Sequence, residues 1–171
     1  MADVFTRAKR SQVMSAIRAK NTRPEMIVRR CLHLMGYRFR LHVSDLPGRP
    51  DIVIPKIRTI VQVKGCFWHG HHCLQGRVPA GNRTYWSGKI EGNRLRDRRN
   101  ERRLRALGWR VKTIWECSIR ASSAVALHEH LARLTSAARV PAARMKQAHK
   151  SRMASLEKEL ALIRNRKRVR T

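Results

Sequence analysis

The sequence predicts a mixed α/β domain, a β-sheet with helices packed against it. Three observations lead there. Segments of helical and of strand periodicity alternate along residues 1–135. Two β-rich runs, 51–54 and 59–64, are separated only by the turn at 55–58. A strand at 59–64, a long helix at 84–107 and a strand at 109–115 then follow in the order a parallel crossover needs.

Taken in order, residues 11–20 read as a short helix with Met14 on its apolar row. Thr22 precedes Glu25 by three positions, with Pro24 in the first turn, which is a capping-box start. The helix that follows aligns Val28, Cys31, Leu32 and Met35 on one face, and Gly36 stops it. Residues 37–41 alternate as a strand. The turn-rich SDLPGRP leads into the hairpin. With the turn centred at 55–58, Ile54 faces Thr59 and Asp51 faces Gln62, and Lys64 lies one diagonal step away on the same face. A cysteine- and histidine-rich loop fills 65–83. The long polar helix ends at Gly108, and a helix over 122–134 closes the domain.

Charge bounds the function. The chain of 171 residues carries 39 Lys plus Arg against 11 Asp plus Glu, a formal net charge of +28. Such an excess opposes compaction unless the partner is an anion, and nucleic acid is the commonest one. The 42% hydrophobic content is enough for a core. No apolar run reaches the length of a membrane span, and MADVFTRAKRSQ lacks the apolar stretch of a secretion signal. A cytoplasmic protein is expected, its four cysteines serving as thiols or metal ligands. Residues 136–171, with 11 Lys/Arg and two Glu, form a basic extension expected to be disordered or helical on a partner. Within it Met153, Leu156, Leu160 and Ile163 recur at helical spacing.

An acid and a lysine at the open end of a hairpin make a hard-cation site suited to phosphate chemistry, with Asp51 as ligand. Glu25 falls in the apolar row of its helix, and Asp97 lies seven residues from both Ile90 and Leu104, so both acids point inward. A buried acid is costly unless paired or metal-bound. Glu25 has the alternative of a capping glutamate, and Asp97 that of an acid paired with Arg96, Arg98 or Arg99.

The run from Cys66 to Cys73 packs two cysteines and three histidines into eight residues. Zinc takes four such ligands in a tetrahedron. Cys117 follows its strand as Cys66 follows 59–64, so a parallel crossover brings the two together. Cys66, Cys73, Cys117 and one of the histidines are therefore expected to hold structural zinc. Cys31 faces its helix core and is excluded. A histidine left over near Asp51 and Lys64 is a natural proton acceptor.

Of nine aromatics, Tyr37, Phe39, Trp109 and Trp115 fit strand cores. Phe67 and Trp68 sit in the polar loop, and Trp86 opens the arginine-rich helix beside Tyr85. Aromatic wedges between basic surfaces part a base stack and hold a kinked duplex, and Met14 has the shape to wedge from another side. Eight arginines between 94 and 110 suit phosphates.

LPGRPDIV, GCFWHGHHC, the Tyr85-Trp86…Lys89-Ile90…Asn93…Arg96-Asp97-Arg98-Arg99 pattern and LGWRV…WEC together resemble the very-short-patch-repair (Vsr) DNA mismatch endonucleases of the PD-(D/E)xK nuclease superfamily. The likeness runs from about Asp3 to Cys117, about two-thirds of the chain. It implies a restriction-endonuclease-like sheet in a nuclease domain over 1–135 and a nick beside T:G mismatches left by 5-methylcytosine deamination. By similarity Asp51 and the Val63 carbonyl hold Mg²⁺, His69 is the general base, and Glu25 and Asp97 support the site. The same likeness assigns zinc to Cys66, His71, Cys73 and Cys117, and the DNA wedge to Met14, Phe67, Trp68 and Trp86. It further implies a monomer at the nucleoid that acts on double-stranded DNA, with mismatch-repair proteins as partners. Gln62-Val63-Lys64 departs from the family pattern: Gln62 takes the slot of an acid, and Lys64 adds a catalytic candidate.

Two other readings compete. A restriction or homing-type endonuclease has no use for a wedge on intact DNA. A non-catalytic zinc nucleic-acid-binding or ribosomal protein has no reason to bury Glu25, Asp51 and Asp97.

Overall fold

The computed structural model describes residues 20–135 and 147–165. The helix expected over 11–20, Met14 included, lies outside these residues except for Lys20. Helix α1 (Arg23–Leu34) starts at Thr22, whose hydroxyl accepts from the Glu25 N–H at 3.4 Å and donates to Glu25 Oε1 at 2.8 Å. It ends as its sequence demands. Gly36 takes a left-handed φ of +82°, and the Tyr37 N–H reaches back to the Leu32 carbonyl at 3.0 Å.

The sheet has strands β1 (Arg40–Leu41), β2 (Ile52–Ile54), β3 (Thr59–Lys64) and β4 (Arg110–Trp115), side by side in that order. The first three are antiparallel, and β3 and β4 run parallel. The expected hairpin register is present, with Ile54 opposite Thr59 and Val53 opposite Ile60. The strand expected over 37–41 forms only at its last two residues, and the alternation fails there because Arg40 and Leu41 are both exposed. Tyr37 and Phe39 instead pack toward the core, with the Tyr37 hydroxyl 2.9 Å from Thr135 Oγ1.

Pleating divides the sheet's apolar residues between two faces. Ile52, Ile54, Val61 and Ile114 join the main core beneath α1, whereas Val53, Ile60 and Val111 pack with Leu104 on the other. That second face belongs to α2 (Arg83–Ala106), in which only Ile90 and Leu104 are buried. Its arginines are exposed, while Trp86, Asn93 and Asp97 are half-buried. Arg58, in a left-handed turn at φ +47°, caps its far end by donating to the Leu107 carbonyl at 2.9 Å.

After β4 the chain forms a short helix, α3 (Glu116–Ala121), to which sequence patterning assigned no element. The helix expected over 122–134 is α4 (Ala124–Thr135). The break falls at Ser122-Ser123, where Ser123 Oγ accepts from the Ala126 N–H at 3.1 Å. Helix α5 (Gln147–Asn165) packs against α1, α3 and α4. Met153, Leu156, Leu160 and Ile163, the residues at helical spacing, are buried in the main core. Both extension acids take part: Glu157 accepts from the Ala124 N–H at 2.5 Å, at the start of α4, and Glu159 pairs with Arg30. Arg120 closes the contact by donating to the Ile163 carbonyl. Among the described residues no helix is long and apolar enough to cross a membrane.

Candidate active site

The site begins with Asp51. It directly precedes Ile52, which pairs with Val61, and its Oδ2 accepts from the Val63 N–H at 2.9 Å. Burial raises the Asp51 carboxyl above the usual carboxylate range, and the nearby charge of Glu25 adds to this against the Val63 hydrogen bond. A cation beside the carboxyl would act against this rise.

Asp97 comes from the middle of α2 and faces the end of β3. His69 Nδ1 stands 2.5 Å and Lys64 Nζ 3.1 Å from the same oxygen, Asp97 Oδ2. Burial works against ionisation of Asp97, but the hydrogen bond and charge of His69, with those of Lys64, hold its carboxyl below the ordinary range. With Nδ1 committed, the other ring nitrogen of His69, Nε2, is left to exchange a proton. None of the flanking arginines makes this contact. The inward stripe of α2 was legible in sequence, but not its partners, which lie 28 and 33 residues away.

Glu25 is 3% exposed and fully engaged. Besides Thr22, its carboxylate accepts from the Asn21 N–H at 3.0 Å and from Arg29 Nη2 at 2.9 Å. Arg29 also meets Asn21 Oδ1 at 2.6 Å and His42 Nε2 at 2.9 Å. Sequence reasoning overlooked Arg29, although a Glu and an Arg four apart on a helix are a recognisable pair. Asp51, Glu25, Lys64, His69 and Asp97 line one cleft of about 710 Å³, together with Gln62, Val63, Trp68, Lys89 and Asn93.

On the far side of the His69 loop, Cys66, His71, Cys73 and Cys117 bring their ligand atoms within 4.8 Å of one another. The parallel register pairs Lys64 with Trp115, so Cys66 and Cys117 stand at equivalent positions two residues beyond. The Cys117 N–H points at Cys66 Sγ (3.4 Å), and Cys117 Sγ lies 3.4 Å from His71 Nδ1. Of the loop histidines it is His71 that joins this group, while His72 is exposed. Burial pushes the Cys66 thiol up to about 12, whereas at Cys73 burial is outweighed by hydrogen bonds with His71 and Cys66 that bring it down to about 6. Three sulfurs and an imidazole so close together suit a soft or borderline metal ion. Trp115 stacks on His71 at 4.3 Å and fixes that ring, a role its strand position did not reveal. Cys31 lies in the core, its thiol raised to about 12 by burial.

Between cleft and thiol cluster the aromatics form one edge-to-face group. Phe67 meets Trp68 at 5.1 Å and Trp86 at 5.2 Å, and Tyr85 lies 5.1 Å from Trp86. Asn93 Nδ2 donates to the Trp68 carbonyl at 2.9 Å and ties the loop to α2. Gly70, at φ +60°, lets the loop close against α2; a Cβ there would stand 2.8 Å from Ile90.

An acid just before β2 and a lysine at the end of β3 share one cleft with the arginine-rich helix. The sheet that carries them is the restriction-endonuclease-like sheet of a family of DNA-cleaving hydrolases. The family follows from comparison with known proteins. The family model described as DNA mismatch endonuclease Vsr matches residues 2–75. The type II nicking enzyme V.XorIIP of Xanthomonas oryzae is 53% identical over 119 residues, covering 70% of this chain and 88% of the relative. The DNA mismatch endonuclease Vsr of Escherichia coli is 45% identical over 120 residues, 70% of this chain and 77% of the relative. The type II nicking enzyme V.NmeAIP of Neisseria meningitidis is 43% identical over 120 residues, 70% and 86%. This chain belongs to the Vsr DNA mismatch endonuclease family.

Proposed function

We propose that this endonuclease nicks one strand of duplex DNA beside a T:G mismatch, by Mg²⁺-dependent phosphodiester hydrolysis, as in very short patch repair. The observation that carries the reading is the Lys64–Asp97–His69 cluster in the same cleft as Asp51, with Trp68 lining it. Phe67 and Trp86 back Trp68, and Met14 on the N-terminal segment is the opposing wedge in this reading.

The donors suit a hard dication. Asp51 offers a carboxylate that burial leaves short of positive charge, and the Val63 carbonyl is the second oxygen of the expected pair. Mg²⁺ bound there supplies a polarised phosphate and an acidified water. His69 is the general base: Asp97 holds Nδ1, so Nε2 takes a proton from the attacking water. The water oxygen bonds to phosphorus as the bond to the leaving sugar oxygen breaks, and that oxygen takes up a proton from solvent to become a hydroxyl. Lys64 balances the charge of Asp97 and keeps it from competing for the metal. Glu25, held by Arg29 and Asn21, keeps the wall behind Asp51 rigid.

Zn²⁺ is the ion assigned to Cys66, His71, Cys73 and Cys117. It would cross-link the His69 loop to α3 and stiffen both the base and the wedge. The arginines of α2 contact phosphates. The enzyme acts as a cytoplasmic monomer, with mismatch-repair proteins as further partners and residues 136–171 as an addition to the nuclease domain at 1–135.

Nicking of matched, T:G and other mismatched duplexes, with Mg²⁺ and with a chelator, tests the reading. Strand-specific nicking of the T:G duplex with Mg²⁺ alone is expected. Equal cutting of matched DNA would turn the assignment to an enzyme for unmismatched sites. Binding without cutting under every condition would leave a binding module.

A further inference from the structure

Asp51 directly precedes Ile52, and Gln62 directly follows Val61, the β3 partner of Ile52; both line the cleft. Pleating turns Gln62 and Lys64 to the same face, the one covered by α2. The Gln62 amide oxygen Oε1 is closed to solvent and receives no hydrogen bond from any described residue. A buried amide oxygen left without a donor is destabilising, and native proteins rarely keep one unless an ion or an ordered water completes it.

Three donor residues that line the cleft direct their hydrogen bonds to other groups. Lys64 Nζ is held by Asp97 at 3.1 Å, the Val63 N–H by Asp51 at 2.9 Å, and Asn93 Nδ2 by the Trp68 carbonyl at 2.9 Å. The Asp51 carboxyl has one hydrogen bond from the described residues, through Oδ2. A carboxylate oxygen just before β2 and an amide oxygen on β3 thus line one cleft. Hard dications take this combination of ligands, carboxylate and neutral amide carbonyl together.

We propose that Gln62 Oε1 is a direct ligand of the divalent cation in the cleft, alongside Asp51. The assignment rests on the metal-dependent reading above and extends it to a residue that reading leaves unused. It also has a consequence for the order of binding. A nuclease site with two acids nearly neutralises a dication, but Asp51 with a glutamine leaves about one positive charge uncompensated. That charge is met by a phosphate, so this chain holds its metal weakly alone and firmly once DNA is bound.

The test is a Mn²⁺ titration, read by electron paramagnetic resonance without DNA and hence without turnover. It uses the purified full chain as wild type, Gln62→Glu, Gln62→Leu and Asp51→Ala, each checked for folding by thermal melting. Gln62→Glu, nearly isosteric, is expected to bind Mn²⁺ at least about tenfold more tightly, since ligand charge count sets affinity at such sites. Gln62→Leu is expected to bind more weakly than wild type. If Gln62→Glu and Gln62→Leu both match wild type while Asp51→Ala loses the ion, Gln62 is no ligand and the Asp51 site stands. If Asp51→Ala also matches wild type, the metal-dependent reading itself fails.

Discussion

Leu160→Ala tests how the carboxy-terminal helix joins the domain. Leu160 is 0% exposed and shares the main core with Ile27 of α1 and Leu127 and Leu131 of α4. Truncation removes the transfer free energy of the lost carbons and leaves a cavity that the packed neighbours only partly fill. Fully buried leucines lose about 2–5 kcal/mol in this way. Taking about 3 kcal/mol, and about 2–4 °C per kcal/mol for a chain of this size, the melting temperature should fall by roughly 6–12 °C. Leu162→Ala on the same helix is the internal control. Leu162 is 63% exposed, and its loss should stay within about 0.5 kcal/mol. Urea and thermal unfolding followed by circular dichroism read both variants. If Leu160→Ala and Leu162→Ala are alike, α5 does not share the domain's core.

His69→Ala should slow single-turnover nicking by roughly 10²–10⁴-fold if the ring is the general base; a loss below about threefold would move that role elsewhere. Asp97→Asn should destabilise the protein in a pH-dependent way. The folded carboxyl lies below its ordinary value, so its stabilisation is present above about pH 3.9 and is lost as pH falls through the folded value. The stability gap between wild type and variant, from urea melts at several pH values, should therefore close in acid; a gap that widens there would refute the sign. Elemental analysis should find one zinc per chain as purified, and Cys117→Ser should lower the melting temperature as well as the zinc content; active protein without zinc would contradict the assignment.

What was legible in the sequence was what local rules fix. The turn at 55–58 leaves one register for the hairpin, so the Ile54–Thr59 pairing followed from counting. The handedness of a strand–helix–strand crossover made β3 and β4 parallel, which brought Cys66 and Cys117 together. The stripe from Ile90 to Leu104 pointed Asp97 inward. Contacts set by packing between distant segments were not legible. Nothing local says that Lys64 and His69 share one oxygen of Asp97, or that Trp115 stacks on His71. The extension reads by composition as a solvated basic segment, yet four apolar residues and two acids are enough to seat α5. Average charge hides that placement.

Nicking of a T:G duplex by Asp51→Ala, with binding of the same duplex measured alongside, bears most directly on the catalytic assignment. The predicted result is no Mg²⁺-dependent nicking with T:G binding retained, because the substitution removes the proposed metal ligand and leaves the aromatic and basic side chains in place. Mg²⁺-dependent nicking by the purified variant at the wild-type rate would contradict it.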